Sequence, residues 1–276
     1  RNSSPLRYLV KSAKRFKDFS VESGSVAGRY IYNTMLSNHL TPFDLAPPAA
    51  AVLPFTRTAN GWEAPSQQVL AVDRSSAQVI SAMLGELGFT ESSELLESVE
   101  TPRRKLSSQQ FIAGKYLVVY GAGGGVVCAA YRLLEEDDEA RLVVDQTLYW
   151  HVVESEEEAL YLAGMFNSPA LGPVIAAFQP KGQQGERHIH RLPVLVTPRF
   201  DAADPAHLAV VEVTRTLLQQ WRHALGSEAE LKERLDPCRA LASRRTALRR
   251  AVEALPAASD WSEATTGVFE GQEPQN

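Results

Sequence analysis

Four glycines in five positions, Gly121, Gly123, Gly124 and Gly125, interrupt two apolar runs in "YLVVYGAGGGVVCAAYRLL". A run like this can hold a phosphate or an adenosyl group if its spacing is right. A dinucleotide loop needs G-x-G-x-x-G between a strand and a helix, the first two glycines for the tight turn and the third for helix packing. Counted from Gly121 the third position is Val126, and counted from Gly123 it is Cys128, so both registers fail. The following "VVCAAYRLL" is β-branched where a helix should start, and neither a Gly-Lys-Ser/Thr nor a ribose-binding acid is present. The spacing predicts a hairpin turn with positive φ angles, and no cofactor loop in this chain.

The second group is the basic loop "KGQQGERHIHR", 181–191. Lys181, Arg187 and Arg191 suit phosphates or guanine edges, and Gln183 and Gln184 suit adenine edges. Gly182 and Gly185 would let the backbone come close to a duplex. His188 and His190 have no third ligand nearby, so they predict no metal site. The competing reading is an ordinary surface loop tied down by the two histidines. A third group, "ESEEE" at 154–158, reads as the dipole-matched first turn of a helix, with Ser155 and Glu158 as a capping box.

The rest of the chain must position these groups. It has 276 residues, 44% hydrophobic and 22% charged, enough for one large domain or two smaller ones with a real core. No apolar run approaches the ~20 residues of a membrane span. The two cysteines, Cys128 and Cys238, have no ligand-like spacing and fit a reducing cytoplasm. Six basic residues precede Asp18 with no apolar stretch behind them, which excludes a secretory signal, and an opening without Met suggests a processed chain or a piece of a longer one. Net charge is −5, yet bases cluster at 1–17, 103–105, 181–191 and 239–250, so a polyanion-facing surface is compatible with an acidic chain.

The expected fold class is α+β, a mostly antiparallel sheet with short helices and a C-terminal helical hairpin. Residues 1–110 read as short strands plus one helix. "QQVLAV" is among the strands, and the helix of "SSAQVISAMLGELGF" is capped by Ser75 or Ser76 and stopped by Gly88. Residues 111–203 read as a meander, with strands at 116–120, 126–133 and 141–153, followed by helices from 155 and 169. For 204–256 two apolar stripes predict a hairpin: Leu208, Val211, Leu218, Trp221 and Leu225, then Leu231, Leu235, Cys238, Leu241, Leu248, Val252 and Leu255. Residues 257–276, polar and acidic, read as a disordered tail.

Over 145–207 an ordered set appears: "DQTLYWHVV", "EALYLAGMFNSP", "GERHIHRLP" and "PRFDAADPAH". This succession resembles the target-recognition, C-terminal region of adenine-specific (N6) DNA methyltransferases, in the branch of single-chain type II restriction-modification enzymes and related phage-defence methylases. The resemblance implies a helix at 158–166 ending in Asn167-Ser168-Pro169, the basic loop at 181–191, an apolar strand at 192–197 and a Pro-x-Phe-Asp segment at 198–201 before a long helix. It implies double-stranded DNA as partner, with Lys181, Gln183, Gln184, Arg187, His188, His190 and Arg191 facing it. The Asp/Asn-Pro-Pro-aromatic motif that holds a flipped adenine is absent: the only Pro-Pro lies in "APPA", with neither acceptor nor ring. The expectation is a recognition unit with no catalytic residue. S-adenosylmethionine would then be bound by a methyltransferase domain, N-terminal in the same parent chain or on a partner, and the non-Met start favours the former. Two other classes stay open: a protein-interaction module docking through the helical hairpin, and a small-ligand enzyme using the glycine run.

Overall fold

A computed structural model describes residues 25–101, 106–121, 127–176, 178, 181–182, 185–186, 192–225 and 248–270. The fold is α+β. In order, the elements are β1 (Ile31–Met35), β2 (Ala49–Val52), β3 (Thr56–Thr58), β4 (Gly61–Glu63), α1 (Gln67–Val72), α2 (Arg74–Leu87), α3 (Ser92–Glu100), β5 (Tyr116–Gly121) and β6 (Ala129–Leu133). Then come α4 (Glu136–Arg141), β7 (Leu142–Val144), β8 (Leu148–Val153), α5 (Glu156–Asn167), α6 (Leu171–Ala176), β9 (Lys181–Gly182), β10 (Gly185–Glu186), α7 (Leu192–Val196), α8 (Pro205–Leu225) and α9 (Ala258–Glu270). Among the described residues no helix is long and apolar enough to cross a membrane.

Two compact units divide the chain, the first from 25–34, 49–110 and 137–143 among the described residues, the second from 35–48, 111–136 and 144–270. In the first, β1 is the middle strand of a sheet ordered β2-β1-β7. Val79, Ile80, Met83 and Leu84 of α2 bury against Tyr30 and Val52. Tyr32, Phe55, Leu106 and Val143 form another cluster, with Trp62 and α3 leucines at its margin. Arg57 is the polar centre of this unit. It donates to the carbonyls of Glu139, Gln109 and Leu142 at 2.6, 3.3 and 3.4 Å and lies 4.7 Å from the Trp62 ring centre.

The second unit is layered. Its sheet has the order β6-β5-β8, antiparallel throughout. α5 covers β5 and β6, α8 covers α5, and α9 packs on α8. Because α5 lies between sheet and helix, Ala159 through Asn167 are all buried. Gly164 permits the close approach of α8: a Cβ there would overlap the Thr214 hydroxyl and lie 3.2 Å from Val210 Cγ1.

Several local signals hold. Ser155 Oγ accepts the Glu158 N–H at the start of α5, and Gly88 ends α2 at φ 79°. β5 and β6 are antiparallel neighbours, with Gly121 N–H donating to Cys128 O (3.1 Å); residues 122–126, on which the expected turn falls, lie outside the described residues. Of the α8 stripe, Val211, Leu218 and Trp221 are buried and Leu208 is 43% exposed. The second stripe from Leu231 to Leu241 lies outside the described residues, while Val252 is buried and Leu248 and Leu255 pack on the core.

Other expectations are corrected. "QQVLAV" is helical (α1): Ser66 Oγ caps it by accepting the Val69 N–H, and its backbone bonds close within the helix. The cap of α2 is Asp73, not a serine; Ser76 is buried and accepts the Ala27 N–H instead. The apolar strand expected at 192–197 is the helix α7, closed by Thr197 N–H to Pro193 O at 3.2 Å. The strand expected at 141–153 is split, since Asp145 takes the Thr147 N–H on its side chain and the Leu148 N–H on its carbonyl, and β7 and β8 enter different sheets. The polar tail contains α9, whose Trp261, Thr265 and Val268 make a buried stripe too narrow to mark the composition.

Candidate functional site

The basic loop is built on a β-hairpin. Lys181 is opposite Glu186 and Gly182 opposite Gly185, which leaves Gln183 and Gln184 as its two-residue connection. Gln183, Gln184, Arg187, His188, His190 and Arg191 lie outside the described residues, as do the basic clusters 1–17, 103–105 and 239–245. The hairpin leaves one helix and enters another, α6 and α7, and these two pack on each other. Phe178 and Leu195, one on each side of it, are 62% and 74% exposed. Arg249 is not free for a ligand: its Nε donates to Glu253 at 2.9 Å.

The motif residues flanking the hairpin are consumed by the fold. Asn167, 5% exposed, accepts the Ala129 N–H on Oδ1 at 3.0 Å and donates through Nδ2 to Ala129 O and Ala163 O at 2.7 and 2.8 Å. Its side chain therefore pins the end of α5 to β6. Ser168 Oγ and Thr265 Oγ1 are 2.7 Å apart, a buried hydroxyl pair between that corner and α9. Downstream, the Tyr161 hydroxyl donates to Pro198 O at 3.1 Å, and His207 Nδ1 accepts the Asp201 N–H at 3.0 Å with its ring 4.7 Å from Tyr161. Burial, reinforced by Asp204, raises the Tyr161 pKa and keeps the hydroxyl a donor. Asp201 and Asp204 accept the N–H groups of Ala203 and Ala206 at the entry to α8. These hydrogen bonds tie the segments before and after the hairpin into the fold.

A second feature escaped the sequence. A cleft of about 700 Å³ is lined by Asp44, Pro47, Pro48, Tyr116, Tyr131 and Glu156, with Arg132, Leu133, Glu135 and Arg222 around them. The Tyr131 hydroxyl donates to Glu156 Oε1 at 3.1 Å; burial first and Glu156 second raise its pKa. Arg222 grips Asp44 through Nε and a terminal nitrogen at 3.3 and 3.2 Å. The only local trace of this cleft is Tyr131 at an alternating strand position; Glu156 reads locally as a helix-start residue.

The chain matches no known family model and no curated protein sequence.

Proposed function

We propose that this chain binds double-stranded DNA and selects sequence as the recognition part of an S-adenosylmethionine-dependent adenine-N6 DNA methyltransferase, of the restriction-modification or phage-defence kind. The observation that carries the reading is the glycine-bounded basic hairpin, set between the Asn-Ser-Pro corner and the Pro-Arg-Phe-Asp entry to α8. A two-stranded ribbon is one of the two protein elements that the major groove admits. Gln183 and Gln184 come between its two strands in sequence, with Lys181, Arg187 and Arg191 in the same stretch, so amides for base edges and cations for phosphates come from one short segment. The spacing of the glycines of 121–125 speaks against their holding the cofactor, and the described strands on either side of them pair antiparallel. Methyl transfer would be supplied by S-adenosylmethionine on a catalytic domain elsewhere, and this chain's residues would hold and orient the duplex.

The test is a salt titration of duplex binding by the 276-residue protein with Lys181→Ala and Arg187→Ala, on cognate and scrambled sites. Loss of a phosphate contact, expected for Lys181, weakens all duplexes alike and lowers the salt slope by about one. Loss of a base contact, expected for Arg187, costs roughly 1–3 kcal/mol at one position and relaxes the preference there. Unchanged affinity and preference in both variants would mean that the hairpin is ordinary surface. Methyl incorporation by this chain alone would overturn the division of labour.

A further inference from the structure

The cleft lies where edge strand β6 loses its neighbour. The sheet order leaves the outer side of β6 to other parts of the chain. Phe43 pairs there in parallel with Ala130, its N–H donating to Ala129 O at 2.8 Å. The Gly121–Cys128 bond sets the phase of the ladder. Backbone groups of Cys128, Ala130 and Arg132 turn toward β5, and those of Ala129, Tyr131 and Leu133 turn away. At Phe43, with φ 66°, the chain leaves the edge. Pro47 and Pro48, in the segment that follows along the cleft, have no N–H to offer it. Arg132 Nε reaches the Leu133 carbonyl at 3.2 Å. The Tyr131 carbonyl and the Leu133 N–H have no hydrogen bond among the described residues, and Leu133 is 44% exposed. An unpaired acceptor and donor on an open strand edge are the groups that an added strand uses.

The side chains around that edge define what such a strand should carry. Three carboxylates, Asp44, Glu135 and Glu156, meet two guanidiniums, Arg132 and Arg222, and Arg222 is already engaged by Asp44. Glu156 is held in place by the Tyr131 hydroxyl, and the Tyr131 and Tyr116 rings lie 6.3 Å apart at 47°. Aromatic faces beside an oriented carboxylate favour a guanidinium or ammonium, and the acidic excess disfavours phosphate.

We propose that this cleft is a docking site for an extended peptide segment bearing arginine or lysine, which pairs with β6 through Tyr131 O and Leu133 N–H and seats its cation at Glu156 and the two tyrosines. The site is separate from the basic hairpin and does not depend on the DNA reading. It gives the chain a protein partner of defined chemistry.

The experiment is fluorescence anisotropy of the 276-residue protein with a labelled hexapeptide of alternating arginine and valine. Two controls replace its arginines by glutamate or N-methylate its backbone at alternate residues. The arginine peptide should bind saturably, and each control about tenfold or more weaker, the scale of losing one charge-assisted or several backbone hydrogen bonds. Glu156→Gln keeps an acceptor for Tyr131 and should weaken the arginine peptide about five- to tenfold. Glu135→Gln is the second variant, expected to weaken it less, and circular dichroism verifies that both are folded. No saturable binding, equal binding of the arginine and glutamate peptides, indifference to N-methylation, or an unchanged affinity in Glu156→Gln would each overturn the proposal.

Discussion

Asn167 offers the sharpest test of how the recognition corner is held. The orientation of its amide is forced by its partners, because one N–H and two carbonyls surround it and only the oxygen can face the N–H. In Asn167→Leu the Ala129 N–H is orphaned. Its carbonyl keeps the Phe43 N–H at 2.8 Å, and Ala163 O keeps its place in the helix ladder. An orphaned buried donor costs about 1–3 kcal/mol and each of the two other bonds about 1 kcal/mol. Burial of the leucine returns about 2 kcal/mol, for a net loss of roughly 1–3 kcal/mol. Asn167→Asp behaves differently. Its carboxylate would place one oxygen against two carbonyls, so the folded state favours the protonated acid, which can donate to one of them. The folded pKa is then raised above the unfolded value of about 3.9, and the native state holds the extra proton between the two. Stability relative to Asn167 is therefore best below about pH 4 and falls as pH rises, by up to about 1.4 kcal/mol per unit while the proton is retained. Urea unfolding from pH 4 to 8, followed by tryptophan fluorescence, reads this directly, with m unchanged. A wild-type midpoint for Asn167→Asp at pH 7.5, or a deficit that does not vary with pH, would refute the geometry.

Gly164→Ala should destabilise by about 1–3 kcal/mol, because helix propensity gains only about 1 kcal/mol against a forced shift of α8. Adding Thr214→Ala should recover much of that loss in a double-mutant cycle, and strict additivity of the two changes would show that the helices do not meet there. Burial lowers the pKa of His39, whose Nδ1 accepts the Leu36 N–H at 3.2 Å. The unfolded chain then takes the proton first, so this contribution is complete above about pH 6.5 and is lost as pH falls toward the lowered folded pKa. Chemical denaturation of wild type and His39→Gln between pH 7.5 and 5 should show a shallower acid loss in the variant, and parallel curves would contradict it.

Signals spanning one turn of chain were legible from sequence alone. Ser155 capping the Glu158 N–H and the stop at Gly88 both act through neighbours within four or so positions, and both hold in the fold. The α+β class follows from such signals repeated along the chain. What the tertiary structure decided depends on partners far away in sequence. "QQVLAV" and "LPVLV" are apolar enough for strands, but a strand needs a neighbour to take its backbone bonds, and both runs close those bonds within themselves as helices. The continuous run from Leu142 to Val153 divides at Asp145 because β7 joins the sheet of β1 and β8 the sheet of β5. α9 is polar by composition and helical because Trp261 finds the Gly164 carbonyl and Thr265 finds Ser168. The peptide cleft needs an edge at Tyr131, prolines at 47 and 48 and a carboxylate at Glu156, brought together only when the sheet forms. Local chemistry names the groups, and long-range hydrogen-bond closure decides which of them are left facing outward.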